Sequence, residues 1–107
     1  MAEENTIIWA GKSGREYKYW INPLSEIDTF KAEPGNYIFA RSSPDGWYAV
    51  YVGETEDLSE RFDGHHKMPC IERSATHIHA HTSSRDASVR RAEEADIIAR
   101  WNPSCNG

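Results

Sequence analysis

Glu94 is the residue of this chain whose placement asks most for an explanation. On a helix capped by Ser83 or Ser84 and ending near Trp101, Ala87, Ile98 and Trp101 fall within one arc around it at about 100° per residue. Its carboxylate therefore projects from the apolar side. The neighbouring Glu93 falls on the opposite, polar side with Asp96 and Arg100. An acid facing a core is costly unless it is paired or bound to a metal. Two readings follow: a salt bridge to Arg91, three residues earlier on the same side, or a cation site. Arg61 and His65 are four apart and share a face if a helix reaches that far. A guanidinium suits bidentate contact with phosphate, although an isolated pair of this kind reads as a solvated helix end. Tyr37 and Tyr51 lie on paired strands of one hairpin and, taken alone, are ordinary sheet aromatics. His65, His66, Cys70, His77, His79 and His81 form a dense group of zinc-type ligands, but no C-x-x-C pair is present and the spacings match no common zinc pattern. Adjacent strand histidines read more readily as partly exposed surface residues.

The elements that must position these groups follow from local pattern. Residues 6–10 and 15–21 read as strands around the turn Gly11-Lys12-Ser13-Gly14, and Asn22-Pro23 ends the second. Leu24, Ile27 and Phe30 mark a short helix. A strand over 36–41 puts Tyr37 and Phe39 on one face and Ile38 and Ala40 on the other. Ser42-Ser43-Pro44-Asp45-Gly46 turns the chain into a returning strand over 47–52, which Gly53 ends. Thr55 caps a helix running to about Gly64, with Glu56 and Asp57 in its first turn, and residues 65–75 read as irregular. Residues 76–82 alternate strictly, His77, His79 and His81 against Ile78 and Ala80. Asn102-Pro103 stops the long helix. The order is hairpin, hairpin, helix, strand, helix: an α+β class with a small antiparallel β-sheet flanked by helices.

A chain of 107 residues is one ordinary domain. With 38% hydrophobic residues and four Trp, five Tyr and three Phe, its core is modest and ring-rich. No apolar run approaches the ~20 residues that span a bilayer. The acidic start lacks the basic flank and apolar stretch of a secretory signal, so a cytoplasmic location without membrane association is expected. Two distant cysteines, Cys70 and Cys105, argue against a disulfide framework. The formal charge of −5 argues against tight non-specific binding to phosphate. The positive charge is uneven, however: Arg85, Arg90, Arg91 and Arg100 cluster late, and Lys12, Arg15 and Lys18 lie early.

Taken together, the singled-out residues resemble the GIY-YIG nuclease superfamily. Gly35-Asn36-Tyr37 matches the first motif. Tyr51-Val52-Gly53, followed by Glu54-Thr55-Glu56-Asp57-Leu58, matches the second. The family's arginine stands ten residues after the second-motif tyrosine, here Arg61, and its frequent histidine four later, here His65. Its metal-binding glutamate precedes a proline by nine residues in a helix ending P-x-x-N, which is Glu94 before Pro103-Ser104-Cys105-Asn106. Helix geometry and motif spacing thus choose Glu94 over Glu93 independently. The resemblance covers about residues 35–106. Asn36 departs from it, standing where the family has an aliphatic residue, on the face opposite Tyr37. The hairpin at 6–21 lies outside the core pattern.

The resemblance implies an endonuclease that hydrolyses phosphodiester bonds in nucleic acid, DNA rather than RNA, with Mg²⁺ or Mn²⁺ held by Glu94. It makes Arg61 the group that offsets charge on the phosphoryl oxygens, Tyr37 the general base and Tyr51 the residue that orients water or phosphate. His65 would help in proton transfer, while Gly53, Thr55 and Asn106 would bind substrate or support the site. Most members of the family carry an extra domain that chooses the target, and without one here a targeting partner protein or a structure-specific substrate is expected. The competing expectation is a non-catalytic module that binds nucleic acid or protein on the same fold, which the acidic charge favours. On the sequence alone, Glu93→Ala is expected to change little.

Overall fold

The structure is a computed structural model that describes residues 5–25, 30–59 and 68–106. Strand β1 (Thr6–Ala10) and strand β2 (Glu16–Pro23) form the first hairpin, and β3 (Gly35–Ser43) and β4 (Gly46–Thr55) form the second. A short helix α1 (Met68–Ser74), strand β5 (His77–Thr82) and helix α2 (Ala87–Trp101) complete the order. Strand β5 enters between the hairpins and pairs antiparallel with both β2 and β3, giving one five-stranded sheet in the order β1-β2-β5-β3-β4. The expected α+β architecture is therefore the observed one. Gly46 turns the second hairpin at φ 123°, a conformation that L side chains rarely adopt.

Period-two alternation divides the core in two. Tyr37, Phe39, Ile78 and Ala80 face one side and pack with Leu58, Ile71 and Cys105. Ile38, Ala40 and Val52 face the other side and pack with Trp9, Tyr17, Tyr19 and Ile97 of α2. Strand β3 lies between covered faces, so residues 35–40 are all buried. Burying a side chain such as Ile38 or Phe39 contributes about 1.5–3 kcal/mol. Phe39 faces Tyr51 while Ala40 faces Ala49, so Val50 is the extra residue of a β-bulge. The bulge turns both Val50 and Tyr51 toward the Tyr37 side of the sheet.

Several expectations require correction. Thr55 ends β4 rather than capping a helix: its hydroxyl closes a local turn, accepting from Asp57 N–H at 3.1 Å, and residues 56–59 are turn and bend. The remainder of that expected helix lies outside the described residues. Residues 68–74, expected to be irregular, form α1 because Pro69 suits a helix start and Ile71 anchors the turn in the core. Leu24 and Ser25 form a 3₁₀ turn, and the rest of that expected helix is also outside the described residues. The N-cap of α2 is Asp86, accepting from Ser88 N–H at 2.9 Å, not Ser83 or Ser84. Its C-cap is Asn102 at φ 48°. His79 is fully buried rather than partly exposed, and its Nδ1 accepts from Trp9 Nε1 at 2.9 Å. Burial, followed by the nearby His77, holds its pKa down at about 4.

Cys70 and Cys105 are joined in a disulfide with their Cα atoms 6.0 Å apart, against the expectation of no such bond. Their separation of 35 residues hid the pairing, because contact arises from α1 and the chain end meeting on one face of the sheet. No helix among the described residues is long and apolar enough to cross a membrane. In the chain-entropy account, closing a loop of this length stabilises by about 4 kcal/mol. Cys70→Ser should therefore lower the free energy of unfolding by roughly 3–4 kcal/mol, read by urea denaturation. An unchanged midpoint in non-reducing buffer would show that the bond contributes nothing.

Candidate active site

Tyr37 stands opposite Gly53 in the β3–β4 register. A Cβ at Gly53 would lie 2.5 Å from both Cζ and Oη of Tyr37, so the phenol ring crosses the β4 backbone where only glycine leaves room. Gly35 is needed for a similar reason: a Cβ there would meet the His81 carbonyl oxygen at 2.3 Å. Both motif glycines are thus explained by close approach rather than by turn geometry. The Tyr37 ring stacks with that of Tyr51 at 6.3 Å between centroids and an interplanar angle of 28°, and meets Phe39 edge-on at 5.7 Å. Burial, then the charge of Glu94, raises the Tyr51 pKa, which keeps that phenol protonated and a hydrogen-bond donor.

Glu94 is half-buried on the flank of α2. Burial first, and then the Glu54 carboxylate, raises its pKa, against a smaller lowering by Arg91. Among the described residues its carboxylate has no hydrogen bond and no ion pair. Arg91, the partner expected for a structural salt bridge, instead lies 3.8 Å from Glu54. Glu54 in turn holds the buried Arg90 through Nε at 2.8 Å. Arg90 Nη1 also donates to the carbonyls of Ser84 and Arg85 at 3.0 and 2.9 Å. That guanidinium is a strut between β4 and the start of α2, which takes it out of the late cluster of positive charge.

The roll of α2 differs from the sequence reading. Its buried residues are Arg90, Glu93 and Ile97, while Trp101 is exposed and Ala87, Glu94 and Ile98 are intermediate. Glu93 is therefore on the buried face and not on the polar one. It accepts a hydrogen bond from Asn36 Nδ2 at 3.2 Å and another from the Ser83 hydroxyl, with His81 Nε2 at 3.8 Å. The polar partners that bury it come from β3, β5 and the loop before α2, which helix periodicity cannot see. One signal was available: Asn36 interrupts the aliphatic pattern of its strand face, and a buried carboxamide needs a partner.

Asn106 is placed by the edge of the sheet. Its Nδ2 donates to the Val52 carbonyl at 2.9 Å, and its Oδ1 accepts from Val52 N–H at 2.8 Å. Cys105 N–H donates to the Val50 carbonyl at 2.7 Å. The chain end thus satisfies the outer edge of β4 beside Tyr51 and Gly53, and both ends of the Asn106 carboxamide are occupied by backbone. Tyr37, Tyr51 and Gly53 come together, Glu94 reaches them through its charge on Tyr51, and Thr55 ends the same strand. Arg61 and His65 lie outside the described residues. Among the described residues there is no group of three or more metal-ligating side chains. The zinc-type set is further depleted because Cys70 is in the disulfide and His79 Nδ1 is engaged by Trp9.

The sheet order, the bulged tyrosine hairpin and the helix bearing Glu94 define a GIY-YIG fold. The chain is similar over 78% of its length to 93% of the GIY-YIG N-terminal endonuclease domain of UvrC from Thermotoga maritima bound to its catalytic divalent cation, magnesium, with TM-score 0.64 and 23% identity. Two point mutants of that domain bound to the cation give TM-scores of 0.64 and 0.62 at 23% and 22% identity, covering 78% and 76% of this chain and 92% and 90% of theirs. The sequence itself matches no family model and no curated protein.

Two substitutions test the packing. Gly53→Ala should displace the Tyr37 ring and lower stability by about 1–3 kcal/mol, with a changed near-ultraviolet tyrosine signal. Glu93→Ala, expected from sequence to be mild, should instead cost about 1–3 kcal/mol because Asn36 loses a buried acceptor. Denaturation midpoints equal to the parent's would contradict either account.

Proposed function

We propose that this chain is a divalent-metal-dependent endonuclease that hydrolyses phosphodiester bonds in nucleic acid, DNA in preference to RNA. The observation that carries the reading is Glu94: a half-buried carboxylate with no protein cation bonded to it among the described residues, beside a second carboxylate and within electrostatic reach of Tyr51. A carboxylate kept in that position is unfavourable by itself and is relieved by a hard cation. Mg²⁺ or Mn²⁺ would be held by Glu94, with water completing its shell. Bound there, the cation supplies charge neutralisation at the scissile phosphate and the leaving oxygen. The magnesium-bound neighbour supports the choice of ion.

The chain's own groups divide the remaining work. Tyr51, protonated, donates to and orients the attacking water or a phosphate oxygen. Tyr37, held across Gly53, would take the proton from that water as its phenolate, a form that a free phenol of pKa ~10 reaches at neutral pH only beside a cation or a hydrogen-bonded partner. Arg61 offsets charge on the phosphoryl oxygens, and His65 assists the proton transfer; both assignments rest on motif spacing alone. Asn106, Gly53 and Thr55 fix the strand that carries Tyr51. A targeting partner protein directs the domain to the site that is cut. The cytoplasmic location expected from the sequence belongs to the same reading. The Cys70–Cys105 bond opposes it, since disulfides persist mostly in oxidising compartments.

Because the folded chain binds the Glu94 proton more tightly than the unfolded chain does, ionised Glu94 costs stability at neutral pH. That cost is relieved as pH falls through the raised pKa, and a bound cation relieves it without acid. In chelator at pH 7.5, Glu94→Gln should melt above the parent. Mg²⁺ should raise the parent's melting temperature by several degrees at saturation, and the variant's hardly at all. Equal responses would remove Glu94 as the metal ligand. In a cleavage screen over duplex, single-stranded, branched and RNA substrates, Glu94→Ala should abolish cutting. Absence of cutting by the parent with both Mg²⁺ and Mn²⁺ would leave a binding module in place of a nuclease.

A further inference from the structure

The hairpin β1–β2 carries a feature that the nuclease reading does not use. Trp20 points to the same side of the sheet as Tyr37, because Tyr17 and Tyr19 alternate to the α2 side. The register places the two rings in one row: Trp20 faces Ala80, Ala80 faces Tyr37 and Tyr37 faces Gly53. Two strand spacings of ~4.8 Å put the backbones of Trp20 and Tyr37 roughly 10 Å apart, about three stacked nucleotide steps of ~3.4 Å. The residue between them is an alanine, so nothing tall separates the rings. Trp20 is 44% exposed, while Phe30 packs partly buried against the core cluster that contains Tyr37.

Trp20 and Phe30 line a cavity of about 440 Å³, floored by Ala80 and Leu58. Its polar lining is Asn5, Asn22, Thr82, Lys31 and Glu33. These are the groups that read an unpaired base: ring faces for stacking, carboxamides and a carboxylate for its edge, and a cation for the adjoining phosphate. Lys18, exposed on the same face of β2, adds a second cation. A paired base inside a duplex cannot enter such a cavity, because both its ring faces and its pairing edge are already engaged.

We propose that this cavity is a nucleobase-binding pocket that stacks an unpaired base of the substrate on Trp20, one to three nucleotides from the bond cut at the tyrosine pair. The proposal rests on the nuclease reading for the position of the cut, but not for the binding itself. It makes the preferred substrate one with a single-stranded, bulged or branched segment. Lys18 and Lys31 supply phosphate contacts beside the pocket.

The test uses the full chain carrying Glu94→Ala, so that substrate is not consumed, in Mg²⁺ buffer. Fluorescence anisotropy of a labelled 12-nucleotide single strand is compared with that of the same sequence as a paired duplex. The single strand should bind more tightly. Adding Trp20→Ala should weaken it about tenfold or more, the range of one lost base–aromatic stack. Trp20→Phe should recover most of the loss. A strand with abasic sites at every position should bind the parent and Trp20→Ala alike. Thermal melting checks that each variant folds. Equal affinity of the Trp20→Ala and parent proteins for the single strand, or no binding of it by either, overturns the pocket. Trp20-dependent binding with no cleavage by the native chain keeps the pocket and ends the nuclease reading. Cleavage that ignores both Trp20 and unpaired bases does the reverse.

Discussion

The structure depends on how two charged residues are buried between α2 and the sheet. Arg90 and Glu93 occupy helix positions that an ordinary amphipathic helix fills with aliphatic side chains. A buried charge is tolerated only where its partner is placed. Glu54 of β4 meets the guanidinium, and Asn36 of β3 with Ser83 meets the carboxylate. The partners stand opposite one another in the β3–β4 register, Asn36 facing Glu54. Ile97 alone would accept many rolls of the helix, whereas two polar matches at fixed heights accept one. That roll brings Glu94 to the edge of the sheet, half-shielded from water and electrostatically coupled to Tyr51.

The sheet side of the site is fixed by the opposite device, the removal of side chains. Gly53 lets the Tyr37 ring cross β4, and Gly35 lets β5 approach β3. The bulge at Val50 turns Tyr51 toward the same side. The outer edge of β4 would otherwise present open backbone groups beside the tyrosines. Cys105 and Asn106 occupy it, and the disulfide fastens that segment to α1. An asparagine whose oxygen and nitrogen both bond one strand residue is a clamp on the strand.

The arginines of α2 are committed unevenly. Of the late arginines, Arg90 is committed inside the protein and Arg91 leans toward Glu54. Among the described residues the half-buried Glu94 has no ion pair with either of them. If the proposed function holds, this acidic chain would need positive charge delivered locally, by a cation at Glu94 and by Lys18 and Lys31. On the proposed function, shape would carry more of the recognition than net charge, and exposed Trp20 on β2 is the ring placed to supply it.

The sequence by itself determined the strands, the turns, the two faces of β3 and β5, and the motif set that resembles GIY-YIG nucleases, because alternation, turn residues and motif spacing are local. Helix periodicity also singled out Glu94, but for a partly mistaken reason: it took the buried arc to centre on Glu94, when that arc centres on Arg90, Glu93 and Ile97. Tertiary structure alone decided that Glu93 is buried, that Arg90 is a strut, that Cys70 meets Cys105 and that Trp20 shares a row with Tyr37. Trp20 and Tyr37 share a row because β5, far along the chain from β2, enters between the two hairpins, and the other three depend on α1, α2 and residues 105–106 packing against the sheet so formed. No local pattern records which strand will become a neighbour, and a buried polar residue announces itself only through the partner that the fold brings to it.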